Sequence, residues 1–216
     1  MIPLKDNIPT RSFPILTVLL IGINTGVFLY EISLPEDQLQ LFVYTFGLLP
    51  TDIAEFNLIP IFTHMFLHGD IGHILGNMLF LWVFGNNVED VLGRVRFLTF
   101  YILSGLGSAF LQSFVSLIMG DLNTPMIGAS GAISGILAGY MRLFPYAKVL
   151  AVIPPFIFFI FTLPAWFFIG YWFLMQILSA MFIPVALGGV AWYAHIGGFI
   201  TGWYGLNLFV KRGLKF

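Results

Sequence analysis

The sequence predicts an all-α, polytopic membrane bundle of six transmembrane helices, and three observations carry that expectation. Of 216 residues, 59% are hydrophobic and only 9% are charged, with a mean hydropathy of +0.95, whereas soluble domains are roughly a quarter charged. The apolar residues form continuous runs. A barrel strand would alternate, so of the two architectures that satisfy the backbone in lipid the helical one is expected. Finally, when six spans are drawn, every Lys and Arg falls on one face of the membrane, the bias that sets orientation in helical membrane proteins.

A span takes roughly 20 apolar residues. On that yardstick helices are expected at 13–30, 72–90, 95–118, 128–143, 164–183 and 190–210, all within one membrane-embedded domain covering residues 1–216. The run from Phe13 lacks a small-residue cleavage site and further spans follow it, so it reads as a retained first span and not a removed signal peptide. The connection at 31–71 is long and holds apolar stretches such as 39–49, and long structured connections tend to carry function. Residues 147–162 contain Pro154 and Pro155, which disfavour a straight helix. They are expected to form a membrane-hugging loop leading into span five.

The charges test this layout. Lys5 and Arg11 precede span one, Arg94 and Arg96 separate spans two and three, Arg142 and Lys148 follow span four, and Lys211, Arg212 and Lys215 follow span six. Both termini are therefore expected in the cytoplasm. Glu31, Glu36, Asp37, Asp52, Glu55, Asp70 and Asp121 fall on the opposite face. A seventh span at 147–162 would send the C-terminal basic cluster across. The absence of cysteine excludes disulfides and thiolate chemistry, and a net charge of −1 without a basic patch gives no reason to expect nucleic acid as a partner.

Polar groups inside spans are costly and tend to be functional. Three clusters stand out. His64, His68, His73 and Asn77 lie at the outer entry of span two, with His73 and Asn77 four apart on one helix face. Span four opens with Gly128-Ala-Ser-Gly131, and Gly131, Gly135 and Gly139 recur every four residues. Taken alone that is a packing motif. The distinction of Ser130 is its place in the first helical turn, where a backbone N–H is free to donate to an anion. Span six carries His195, with Gly198 and Gly202 on the same face. A histidine on a glycine-lined face sits against a partner helix, where it serves either as a satisfied core side chain or as a general base.

Spans two, four and six all enter from the outer side, so a serine, a histidine and a His/Asn pair share one depth. That is a parts list for acyl transfer: Ser130 as nucleophile, His195 as base, and the Asn77 amide, His73 imidazole and Ser130 N–H as oxyanion donors. No carboxylate lies in spans four or six to orient His195, so a dyad is expected and not a triad.

These clusters, in this order, resemble the rhomboid family of intramembrane serine proteases, in the six-span form common in prokaryotes. The likeness runs through residues 64–77, Gly85-Asn-Asn-Val-Glu89, Gly128-Ala-Ser-Gly131 and Ala194-His195-Ile-Gly-Gly198 with Gly202. The resemblance implies that Ser130 and His195 are the catalytic pair, that His73 and Asn77 stabilise the oxyanion, and that Glu89 holds the inner end of span two. It further implies that the loop between spans one and two lies partly in the membrane, and that span five with the loop before His195 admits substrate. The substrates implied are transmembrane segments of other membrane proteins, in the lipid bilayer of a prokaryotic cell (inner) membrane, with no cofactor and no metal. Two departures from the family pattern are Ser134, where some relatives have an aromatic residue that packs on the histidine, and Val91, where some have Arg. Trp192 or Tyr193 is the expected substitute for that aromatic contact.

Two rivals make distinct demands. A zinc protease would use His64 and His68, but Met-Phe-Leu lies between them and no glutamate serves as base. A transporter or other non-catalytic polytopic protein would suit the small-residue faces, but no repeated halves are visible.

Overall fold

A computed structural model describes residues 1–153, 156–183 and 189–210. The chain is mostly helical, and every stretch expected to span is helical. Helix α1 covers Ile15–Glu31. The second expected span is one continuous rod made of α5 (Ile71–Phe80), a π-helical turn (Leu81–Gly85) and α6 (Asn86–Leu92). The remaining four are α7 (Arg94–Met119), α8 (Ser130–Leu143), α9 (Ala165–Phe182) and α10 (Trp192–Phe209). Among the described residues, α7 and α9 are long and apolar enough to cross a membrane, and α1 is a shorter apolar helix.

The core is apolar, built from side chains such as Leu81, Phe84, Phe97, Ile136 and Phe168, but two helices also bury polar stripes and much of the surface is apolar. On α7 the buried face carries Ser104, Ser108, Gln112 and Ser116, four apart, while Phe110, Phe114 and Ile118 face outward. On α1 the buried polar residues Thr17, Asn24 and Glu31 recur every seven. Large apolar side chains such as Leu29, Trp166 and Leu208 are exposed. Such a surface is at home against lipid and costly in water.

Glycine sets the spacing of the inner helices. A Cβ at Gly198 would collide with Gly131 O, one at Gly202 with the backbone of Gly135, and one at Gly135 with the Ser104 side chain. Helix α8 thus meets α10 at backbone contact and α7 through the small side chains of Ser104 and Ser108, the arrangement small residues permit. Helix α9 lies against α10 through the stacked rings of Phe173 and Phe199, 3.8 Å apart.

The basic face is built differently from expectation. Where a membrane-hugging loop was expected at 147–162, β2 (Lys148–Ile153) and β3 (Phe156–Pro164) pair antiparallel, and β1 (Ile2–Asp6) adds to the edge in the order β1-β2-β3. Val149, Val152, Ile153, Ile160 and Thr162 are β-branched residues that favour a pleated sheet. Pro154 and Pro155 lie outside the described residues, as do Lys211, Arg212 and Lys215. The N-terminal strand is locked by buried Asp6, which accepts from Asn87 Nδ2 at 3.0 Å and from the Tyr140 hydroxyl. Glu89 accepts from the N–H groups of Leu16 and Thr17 and from the Thr17 hydroxyl at 2.8–3.0 Å. Helix α1 starts after Pro14, which offers no side-chain cap, so the Glu89 carboxylate does that work.

The long connection folds into short helices, α2 (Glu36–Phe46), α3 (Pro50–Ala54) and α4 (Leu58–Thr63), then a 3₁₀ turn at His64–Phe66. It ends at Asp70, whose carboxylate caps α5 by accepting from the His73 N–H at 2.9 Å.

Candidate active site

Ser130 is the first residue of α8. The chain reaches it through Gly128, whose φ of +120° is a conformation that suits glycine. The Gly128 N–H donates to His64 O at 2.8 Å. A side chain at this position would meet His73 Nε2 at 2.7 Å, so glycine is required twice over. Ala129 caps the helix without a side-chain acceptor, which leaves the first-turn N–H of Ser130 available to a ligand.

His195 lies in the first turn of α10 and is buried. Its Nε2 is 2.8 Å from Ser130 Oγ. On the other side of the ring, Nδ1 is 2.7 Å from Gln176 Oε1 on α9. The ring is flanked by Trp172 at 5.7 Å and, edge-on, by Trp192 at 6.2 Å. Ser134 is turned away and donates to Ser130 O at 2.6 Å. Tyr193 does not pack on the imidazole either: its hydroxyl donates to Ala180 O at 3.0 Å and ties α10 to α9.

His73 and Asn77 line the same cavity as Ser130 and His195, a space of about 570 Å³ that Gln112 and Trp172 also border. Asn77 Nδ2 is 2.9 Å from His68 Nε2, so one amide N–H donates to that imidazole and the second is left for another acceptor. Burial, reinforced by the nearby charge of His73, pushes His68 down to about 4. The ring is therefore neutral near pH 7 and keeps an acceptor lone pair for Asn77. The rings of His68 and His73 meet edge to face at 5.0 Å.

Gln176 and Trp172 are the neighbours that sequence reasoning missed. The available signal was a single side-chain amide in α9, whose only other polar side chains apart from the tryptophan indoles are Tyr171 and Ser179. Residues 55–212 match the rhomboid domain family. The chain belongs to the rhomboid family. It is 32% identical to the yeast mitochondrial Rhomboid protein 1 over 194 residues, covering 86% of this chain and 51% of that protein. Against the zebrafish mitochondrial presenilin-associated rhomboid-like protein A it is 34% identical over 97 residues, 45% of this chain and 25% of that one. An Arabidopsis RHOMBOID-like protein 4 matches at 31% over 147 residues, 63% of this chain and 30% of the relative. The rhomboid chain described here thus spans about half the length of the yeast protein and less of the others.

These relatives correct the expected prokaryotic cell membrane with cytoplasmic termini. The yeast and animal rhomboids matched are mitochondrial proteins. Charge bias orders the two faces of a membrane but carries no information on which membrane it is.

Proposed function

We propose that this rhomboid is an intramembrane serine endopeptidase of six transmembrane helices, formed by one domain over residues 1–216, that cleaves transmembrane segments of other membrane proteins. The rhomboid relatives point to a mitochondrial membrane as its setting. The observation that carries the reading is the 2.8 Å contact between Ser130 Oγ and His195 Nε2 at the wall of a cavity.

In this reading Ser130 Oγ attacks a substrate carbonyl carbon while its proton passes to His195 Nε2. The carbonyl oxygen becomes an oxyanion, stabilised by the free Asn77 amide N–H, the His73 imidazole and the Ser130 N–H. Collapse of the tetrahedral intermediate breaks the C–N bond, and the imidazolium returns its proton to the leaving amine. A water molecule then attacks the acyl–serine ester, again giving up its proton to His195, and the new carboxyl terminus departs with Ser130 restored. A helical substrate has its carbonyls internally bonded, so a short stretch must unwind before attack. Helix-weakening residues such as Gly near the cleavage point lower that cost.

The test is cleavage of a single-span polypeptide with a Gly-rich segment, co-reconstituted with the protein in liposomes and followed by mass spectrometry. Fragments are expected from wild type and not from Ser130→Ala. Equal cleavage by both proteins would remove Ser130 from the reaction.

A further inference from the structure

Gln176 is a buried amide on a helix whose other described side chains are, apart from Tyr171 and Ser179, apolar. Such a group is expensive at membrane depth unless both ends are satisfied. Both ends are. Its Nε2 donates to Trp172 O, one turn back on the same helix, at 2.9 Å, and its Oε1 faces His195 Nδ1 at 2.7 Å. The carbonyl of Trp172 can only accept, so it fixes which end of the amide is nitrogen. Oε1 is therefore the atom presented to the imidazole, and a carbonyl oxygen can only accept. It follows that His195 Nδ1 carries the proton and Nε2 holds the lone pair.

We propose that Gln176 is the positioning residue of the site, a neutral amide that selects the Nδ1–H tautomer of His195 and so aims the basic Nε2 lone pair at Ser130. The inference rests on the hydrolytic reading above and adds a third member to the pair. In serine hydrolases this place is taken by a carboxylate that orients the ring and stabilises the imidazolium. An amide does the first and contributes less to the second. It suits a site walled by α5, α7, α8, α9 and α10, where a further buried charge would need its own partner. Trp172, one turn from Gln176, flanks the same ring, so α9 fixes the tautomer and restrains ring rotation together. Neither α8 nor α10 carries a carboxylate that could take this place. The orienting group is uncharged and sits on α9.

The test combines spectroscopy with the rate of covalent labelling by a fluorophosphonate, a probe that needs no knowledge of the substrate. In wild type labelled with 15N-histidine, in detergent near neutral pH, His195 is expected to show protonated Nδ1 and unprotonated Nε2. An Nε2–H tautomer in the folded wild type would overturn the proposal without any variant. Gln176→Leu keeps the bulk and removes the acceptor. Its labelling of Ser130 should slow by at least about 10-fold, towards the roughly 10⁴-fold loss that a wrong tautomer causes where a carboxylate holds the ring, with Nε2 becoming protonated. Gln176→Glu retains an acceptor oxygen and should label within about threefold of wild type. Gln176→Leu labelling at the wild-type rate, or with Nδ1 still protonated, would overturn the role of Gln176. Wild type that does not label at Ser130 would instead remove the hydrolytic reading itself, so the two failures are distinguishable.

Discussion

Replacing Gly197 by Ala tests whether backbone-level packing sets the position of His195. A Cβ at Gly197 would stand 2.6 Å from Gly107 O and 2.8 Å from Leu111 Cβ on α7. Neither is the far end of a flexible side chain, so the helices must part. Restoring ordinary contact at about 3.4 Å requires α10 to back away by about 0.8 Å. His195 lies two residues earlier in the same helix and moves with it. Its bond to Ser130 is 2.8 Å long, and a displacement of that size along the bond takes it past hydrogen-bonding range. The packing cost is about 1–3 kcal/mol, and misplacement of a reacting group by about 1 Å costs roughly 100-fold in rate. Fluorophosphonate labelling should therefore slow by about 10- to 100-fold, with helical content unchanged by circular dichroism. Gly205→Ala is the internal control: an added Cβ there meets nothing within 4 Å, and labelling should match wild type. If Gly197→Ala labels as fast as Gly205→Ala, close α7–α10 contact is not what places the imidazole.

Three further outcomes are expected. Asn77→Ala should slow labelling by about 100- to 1000-fold through loss of an oxyanion donor, while the 15N spectrum of His195 stays as in wild type; an unchanged rate would take Asn77 out of the oxyanion site. Glu89→Ala strips three hydrogen bonds from the start of α1 and should destabilise the protein by about 2–4 kcal/mol, read as a lower thermal unfolding midpoint; an unchanged midpoint would mean that α1 is held elsewhere. Asp6 is raised from its ordinary value of 3.8, chiefly by burial and against the opposing hydrogen bond of Tyr140. Folded protein then holds this proton to higher pH than unfolded chain does, so stability should fall as pH rises from about 3.8 through the elevated value and then level off. Asp6→Asn should flatten that slope, and an identical slope in the variant would exclude Asp6 as its source.

Much of the helical layout was legible because a lipid-facing helix needs a long apolar run, and those runs end where charge or proline begins. Gly131, Gly135, Gly198 and Gly202 announced close packing by their spacing alone. The antiparallel pairing of β2 with β3 was not legible. Their Val, Ile and Phe residues suit a membrane segment as well as a strand, and β1, the other partner of β2, lies more than 140 residues away in sequence. The role of Glu89 was read as local to span two, yet its hydrogen bonds go to Leu16 and Thr17, over 70 residues distant. The Ser130–His195 contact was inferred from shared depth, which brings two groups to one layer but does not choose their neighbours. Gln176 escaped for that reason: nothing in its spacing from His195 signals contact, and only the packing of α9 on α10 brings them together.

The most direct measurement is the intact mass of the protein after fluorophosphonate treatment, with peptide mapping of the adduct. Wild type should gain one probe mass, located on Ser130, while Ser130→Ala gains none and His195→Ala gains it far more slowly. An adduct on another residue, or equal labelling of all three proteins, would contradict the assignment of Ser130 and His195 as a nucleophile and its base.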